Sequence, residues 1–356
     1  MRISIALRCR PFSHVPGNRW VLPHTEYGVQ VFPTRLIFFS LRDSSLQWIL
    51  DFRMQGPVRG FTVQLDAEAH MLSLWGEAKD GYFKMRVACE GEHVALHNER
   101  RPLLCTFEGR DVRLERSASY ALPIPCKARP REIIPRLSLG MHKAQEWEKI
   151  RMRANIQEFL PLWYRLGKLF DGSASKYSEG TLHLLERCRE LVYANEKQRV
   201  VEAFTELFLA GMGNAFFPRL VDEEFQGILP NGKREESVSP MPILSHGARL
   251  IEALFYREEH DSMGILPCVP SQFHSGRITD VVTKAGEILA WEWTKYKLRR
   301  MRIASHSGKE LTLQLPTSMK QCRMRTSLCE KGHVLSIHKG FLTIPSSNCM
   351  LDRFGC

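Results

Sequence analysis

The densest run of acids in the chain is "RLVDEEFQG", residues 219–227, where Asp222, Glu223 and Glu224 follow one another beside Phe225. Carboxylates do general acid–base work, which takes one group to give a proton and another, placed across the reacting bond, to accept one. Sequence neighbours cannot supply both partners. An acid drawn from Asp222, Glu223 or Glu224 therefore needs a base elsewhere, with Glu235 or Glu236 as candidates. The competing role is a solvated loop or a first helical turn, where carboxylates suit the dipole.

Other chemistry-bearing residues are weaker signals. Cys322, Cys329, His333 and His338 are metal-ligand types, but closed zinc sites usually open with cysteines two to four residues apart. Here the gap is six residues, and alternation through Val334 and Ile337 reads as a strand, so no metal is assigned. "GMGNAF" and "HSGKEL" each lack a glycine that a phosphate-cradling loop needs, and no Gly-x-Ser-x-Gly elbow occurs; no cofactor is expected.

Residues 295–325 carry nine lysines and arginines against Glu310 alone: Lys295, Lys297, Arg299, Arg300, Arg302, Lys309, Lys320, Arg323 and Arg325. With Trp291, Trp293 and Tyr296 nearby, they suggest a surface for nucleic acid or another acidic partner. The same alternation describes the solvated face of a half-buried strand. Trp291 and Trp293 share a parity, so they either stack on sugar rings or fill a core, where large aromatics dominate burial.

The whole chain has 356 residues, 50 Lys and Arg against 39 Asp and Glu, and a formal charge of +11. That length suggests two or three domains. The N-terminal apolar run is too short for a secretory signal, no stretch approaches a membrane span, and the ten cysteines are scattered. The expectation is reduced thiols and a cytoplasmic location.

The elements that would position these residues change along the chain. Residues 1–125 read as β: "FTVQL" sets Phe61, Val63 and Leu65 on one face, and "KDGYFKMRVACEGEHVAL" alternates between turns at Asp80-Gly81 and Glu90-Gly91. "VQVFPTRLIFF" adds a strand pair or a bent strand at Pro33. A proline-rich linker spans 126–140. Residues 141–262 take helical spacing, with four to six helices; Pro161 kinks or restarts one and Ser178 caps another. Residues 263–356 return to period two, with a hairpin in "EILAWEWTKYKLRRMRI" and a half-buried strand in "ELTLQL". The fold class is α+β and multidomain: an N-terminal β-sandwich, a short α-helical middle and a C-terminal β-sandwich.

In "GILPCVPSQFHSGRITD", residues 264–280, a helix ends, two prolines follow, and a corner leads into a strand. The stretch Ile265–Arg325 resembles the C-terminal β-sandwich of the inverting α-1,2-fucosidase family of glycoside hydrolases. Those enzymes pass from the last helix of an (α/α) barrel through a proline bridge, matched by "ILPCVP", to a corner and strand, matched by "SQFHSGRITDV". "IEALFY" stands for the last helix and "GEILAWEWTKYKLRRMRI" for the hairpin. The resemblance implies carbohydrate as the ligand class. It also implies a catalytic aspartate just before the last helix; counting back from Glu252 reaches "SPMPI", residues 239–243, which holds no acid. Twelve barrel helices of about 11 residues with loops of about 4 need on the order of 180 residues. Residues 141–262 are too few, so the barrel is expected to be truncated or replaced by a bundle. The implied protein is a non-catalytic relative with a carbohydrate-binding or structural role. Its rivals are an active glycosidase using the 222–224 acids and a binder of nucleic acid or an acidic partner.

Overall fold

The computed structural model describes residues 4–8, 17–126, 133–140, 145–170, 180–222, 238–259, 262–305, 310–327, 330–345 and 347–353. The first part of the chain forms β1 (Ser4–Arg8), β2 (Asn18–Val21), β3 (Tyr27–Phe32), β4 (Arg35–Ser40), β5 (Leu46–Phe52), β6 (Arg59–Asp66), β7 (Met71–Ala78), β8 (Gly81–Glu90), β9 (His93–Asn98), β10 (Leu103–Phe107), β11 (Arg110–Leu114) and β12 (Ser119–Pro125). They make two six-stranded sheets, ordered β1-β6-β7-β8-β9-β12 and β11-β10-β5-β4-β3-β2. Alternation decides their faces: Phe61, Val63 and Leu65 are buried, as are Phe83, Met85 and Val87. Lys79 and Asp80 link Ala78 to its partner Gly81, and Pro33 and Thr34 link Phe32 to Arg35, so each is a two-residue hairpin turn.

A disulfide joins Cys89 of β8 to Cys126 just beyond β12. The expectation of reduced thiols throughout is corrected at this pair, whose separation of 37 residues carried no sequence signal. Disulfides persist in oxidising compartments, so scattered cysteines no longer support a cytoplasmic location. Among the described residues no helix is long and apolar enough to cross a membrane.

β13 (Arg136–Ser138) precedes α1 (Trp147–Arg153), α2 (Ile156–Gly167), α3 (Thr181–Tyr193), α4 (Lys197–Gly211) and α5 (Met241–Phe255). The break between α1 and α2 comes before Pro161, not at it. Ala154 turns left-handed at φ 42°, and the Asn155 side chain caps α2 by accepting from the Gln157 N–H. Ser178 lies outside the described residues, and α3 starts at Thr181.

α2 packs against α5 and α4, and α3 against α4 and α5. Their shared interior is aromatic. Phe159 stacks on Phe208 with centroids 4.1 Å apart, Trp147 meets Phe208 at 5.9 Å and Phe216 at 5.1 Å, and Trp163 meets Phe204 at 6.0 Å. All six of these side chains are fully buried or nearly so. Gly247 lets α5 approach closely: a Cβ there would stand 2.5 Å from the Trp163 ring. Trp163 in turn donates Nε1–H to the Ile243 carbonyl at 3.0 Å.

The remaining strands are β14 (Tyr256–Glu259), β15 (Ser262–Ile265), β16 (Ser275–Val282), β17 (Ile288–Thr294), β18 (Lys297–Ala304), β19 (Glu310–Gln314), β20 (Gln321–Arg325), β21 (His333–Ser336), β22 (Phe341–Pro345) and β23 (Cys349–Arg353). They form a seven-stranded sheet, β13-β16-β17-β18-β23-β20-β21, and a four-stranded one, β14-β15-β19-β22. The helix-to-strand change falls at Tyr256, earlier than "ILPCVP", because Tyr256 pairs with Ile265 in a β14–β15 hairpin. The prolines then carry the chain to the Phe273–Gly276 corner. Gly276 serves close approach there: Trp293 lies over it and donates Nε1–H to the Phe273 carbonyl at 2.9 Å.

Candidate functional site

Asp222 is buried and faces an arginine. Arg219 Nη2 donates to Asp222 Oδ1 across 3.4 Å, and its Nε and Nη2 donate to the carbonyls of Ala210 at 2.8 Å and Leu209 at 3.1 Å. These carbonyls end α4, where a cation suits the negative pole of the helix. The Thr181 hydroxyl donates to the Arg219 carbonyl, so the same residues tie α4 to the start of α3. The geometry makes Asp222 part of a structural tie. Glu223, Glu224, Glu235 and Glu236 lie outside the described residues.

At "SPMPI", Met241 opens α5 with its side chain buried, and no carboxylate replaces the expected aspartate there. Glu252, about three turns along the same helix, borders a cleft of about 190 Å³ lined also by Ile133, Ile134, Pro135, Lys168 and Val282. Its Oε2 lies 2.7 Å from Lys168 Nζ and accepts from the Tyr164 hydroxyl. Burial first, then the Glu252 charge, hold that hydroxyl well above the ordinary tyrosine range, so it remains a donor. Glu252 is the one acid among the residues lining this cleft. Hydrolysis with inversion needs a second, across the bond.

Trp291 and Trp293 point inward from β17 and are 2% and 1% exposed. Trp291 meets Tyr256 of the four-stranded sheet at 6.0 Å, and Trp293 meets Phe255 at 5.1 Å. Burial leaves neither indole a free face for stacking on a sugar; both fill the core. Cys322 is buried as well, and burial, then Cys349, push its thiol up to about 11, far from the thiolate a metal prefers. Cys329 lies outside the described residues, and no group of three or more His, Cys, Asp or Glu gathers among them.

The opposite face of the seven-stranded sheet holds the basic residues. Lys297, Arg299, Arg300 and Arg302 are exposed along β18, and Lys295 in the turn before it. A bulge opposite Glu292 and Trp293 sets Arg299 beside Arg300 on the solvent side. Lys309 lies outside the described residues; Lys320 is exposed, and Arg323 and Arg325 are half-buried on β20. Asp352 of β23 bridges this group, accepting from Arg300 Nε at 2.8 Å and from Arg325. Sequence reasoning missed Arg277, Glu292 and Asp352, which share the face from β16, β17 and β23. Their outward positions in "SGRITDV", "LAWEWT" and "CMLDR" were the available signal; strand order was not.

Residues 258–338 match the family model described as glycoside hydrolase family 95, C-terminal domain. The C-terminal region is therefore similar to a glycoside hydrolase family 95 C-terminal domain, and the resemblance seen from Ile265 to Arg325 lies inside the matched segment. No curated protein matches the chain. The matched segment does not complete either sheet by itself: β23, which follows it, sits between β18 and β20, and β22 closes the four-stranded sheet. β13, from well before it, adds the edge beside β16.

Proposed function

We propose that this protein is a glycoside-hydrolase-like scaffold that binds rather than cleaves, with an N-terminal β-sandwich over 1–125, a linker over 126–140, a helical bundle and a C-terminal β-sandwich. We place the last boundary after Phe255, where α5 ends and β14 begins at Tyr256. The filled helical interior carries this reading. Phe159, Phe204, Phe208, Trp147 and Trp163 pack on one another between the helices as a buried aromatic core, where a substrate bowl would need open space. Support also comes from the buried methionine in place of the family's aspartate, and from Asp222 being directed at Arg219.

A panel of aryl glycosides tests it. Release is expected to be no faster than in buffer, with Glu223→Gln and Glu224→Gln without effect. Turnover that either substitution abolishes would establish the rival glycosidase. A second reading, a binder of an acidic partner, is favoured by one observation: the exposed arginines and lysines of β18 lie on a single sheet face beside Arg277, Arg323 and Arg325.

A further inference from the structure

We propose that the outer face of the seven-stranded sheet binds a sulfated or carboxylated polysaccharide. The proposal rests on the acidic-partner reading and names its ligand. Cross-strand register sets Arg277, Glu292, Arg300, Asp352 and Arg323 side by side across β16, β17, β18, β23 and β20. A second row sets Arg302, Met350 and Arg325 next to one another. Neighbouring strands lie about 4.8 Å apart and same-face residues about 6.7 Å apart along a strand, so the guanidiniums form a lattice rather than a single point.

The rows hold two acids, and Asp352 is already engaged by Arg300 and Arg325. Burial pushes its carboxyl up, but the bonds and charges of both arginines outweigh this and hold it below the usual range, so it is ionised at neutral pH. Arg299, Arg302 and Arg277 are exposed with no carboxylate partner among the described residues. Arginine forks grip oxyanions through paired hydrogen bonds, which favours sulfate, carboxylate or phosphate groups over a diffuse negative surface.

Aromatic placement separates the polymers. Single-stranded nucleic acid is held by a run of stacking platforms within a basic groove. Here the indoles of β17 face the core, and the neighbouring exposed ring, Tyr296 in the β17–β18 turn, meets His274 edge-on at 5.3 Å and has its hydroxyl tied to the Ser271 carbonyl. Duplex DNA is read by a helix or ribbon entering its major groove, and a broad sheet face presents neither. A polyanionic polysaccharide needs only spaced oxyanion contacts, and the match of 258–338 to a glycoside hydrolase domain points the same way.

The test uses the full chain with labelled heparin, and with single- and double-stranded DNA of equal charge, by fluorescence anisotropy over a salt series. Heparin is expected to bind more tightly than either DNA, and its binding to weaken log-linearly with salt. Arg299→Ala with Arg302→Ala should weaken heparin binding at least ten-fold; Lys197→Ala with Arg199→Ala, exposed at the start of α4, should leave it unchanged. An unchanged thermal midpoint in the arginine variant excludes misfolding, and Arg302→Lys, which keeps charge but loses the fork, should fall between. DNA binding as tight as or tighter than heparin would overturn the polysaccharide assignment and leave the acidic-partner reading standing. Failure to bind any of the three, or unaltered heparin affinity in the arginine variant, would overturn both.

Discussion

A Cβ at position 276 would stand 2.3 Å from Cζ2 of Trp293 and 2.8 Å from the Ser138 carbonyl, so one methyl group separates a closed corner from an open one. Overpacking of this kind costs about 1–3 kcal/mol. Gly276→Ala is expected to lower the urea midpoint accordingly, with the Trp293 fluorescence shifted toward that of a solvated indole; an unchanged midpoint would remove the close approach from the account. The corner was legible as Pro-Pro-Gly punctuation, but the glycine's job was not, because it depends on an indole 17 residues later. The same holds for Asp222. Three adjacent acids look like chemistry in a string of letters, and the Arg219 tie that absorbs Asp222 depends on carbonyls at the far end of α4.

Among the elements, the β17–β18 hairpin concentrates the lysines and arginines, and its turn is strained. Lys295 and Tyr296 have φ of 52° and 58°, a left-handed pair that Asn-Gly adopts more readily. Left-handed backbone costs about 1–2 kcal/mol in a residue with a side chain. Lys295→Gly is expected to raise stability by about 1 kcal/mol in equilibrium unfolding while Tyr296 keeps its bond to the Ser271 carbonyl at 2.7 Å. Loss of stability would mean that the turn is not left-handed. Period-two alternation disclosed this hairpin, its inward tryptophans and its outward charges. It could not disclose that β23 pairs with β18 or that β13 adds the edge beyond β16, because pairing partners about 50 and about 140 residues apart leave no mark on a local pattern. Helical spacing likewise located α2 to α5, while the break at Ala154 depended on a backbone turn that proline rules did not anticipate.

For the whole molecule, the question is whether the helices enclose a ligand or one another. The shortage of residues between the linker and the C-terminal strands argued from the sequence for a truncated barrel; what fills its centre became visible only when Trp147, Phe159, Trp163, Phe204, Phe208 and Phe216 were seen to meet. An aromatic lining of a substrate bowl bears on ligand binding and little on folding, whereas an aromatic core bears on folding directly. Truncating a buried phenylalanine costs about 3–5 kcal/mol. The most direct measurement is equilibrium unfolding of Phe208→Ala, with Phe208→Leu as the milder companion should the first fail to fold. A packed core predicts a loss of about 3–5 kcal/mol for alanine and a smaller loss for leucine; stability equal to the unmodified protein in both would show an open bowl instead.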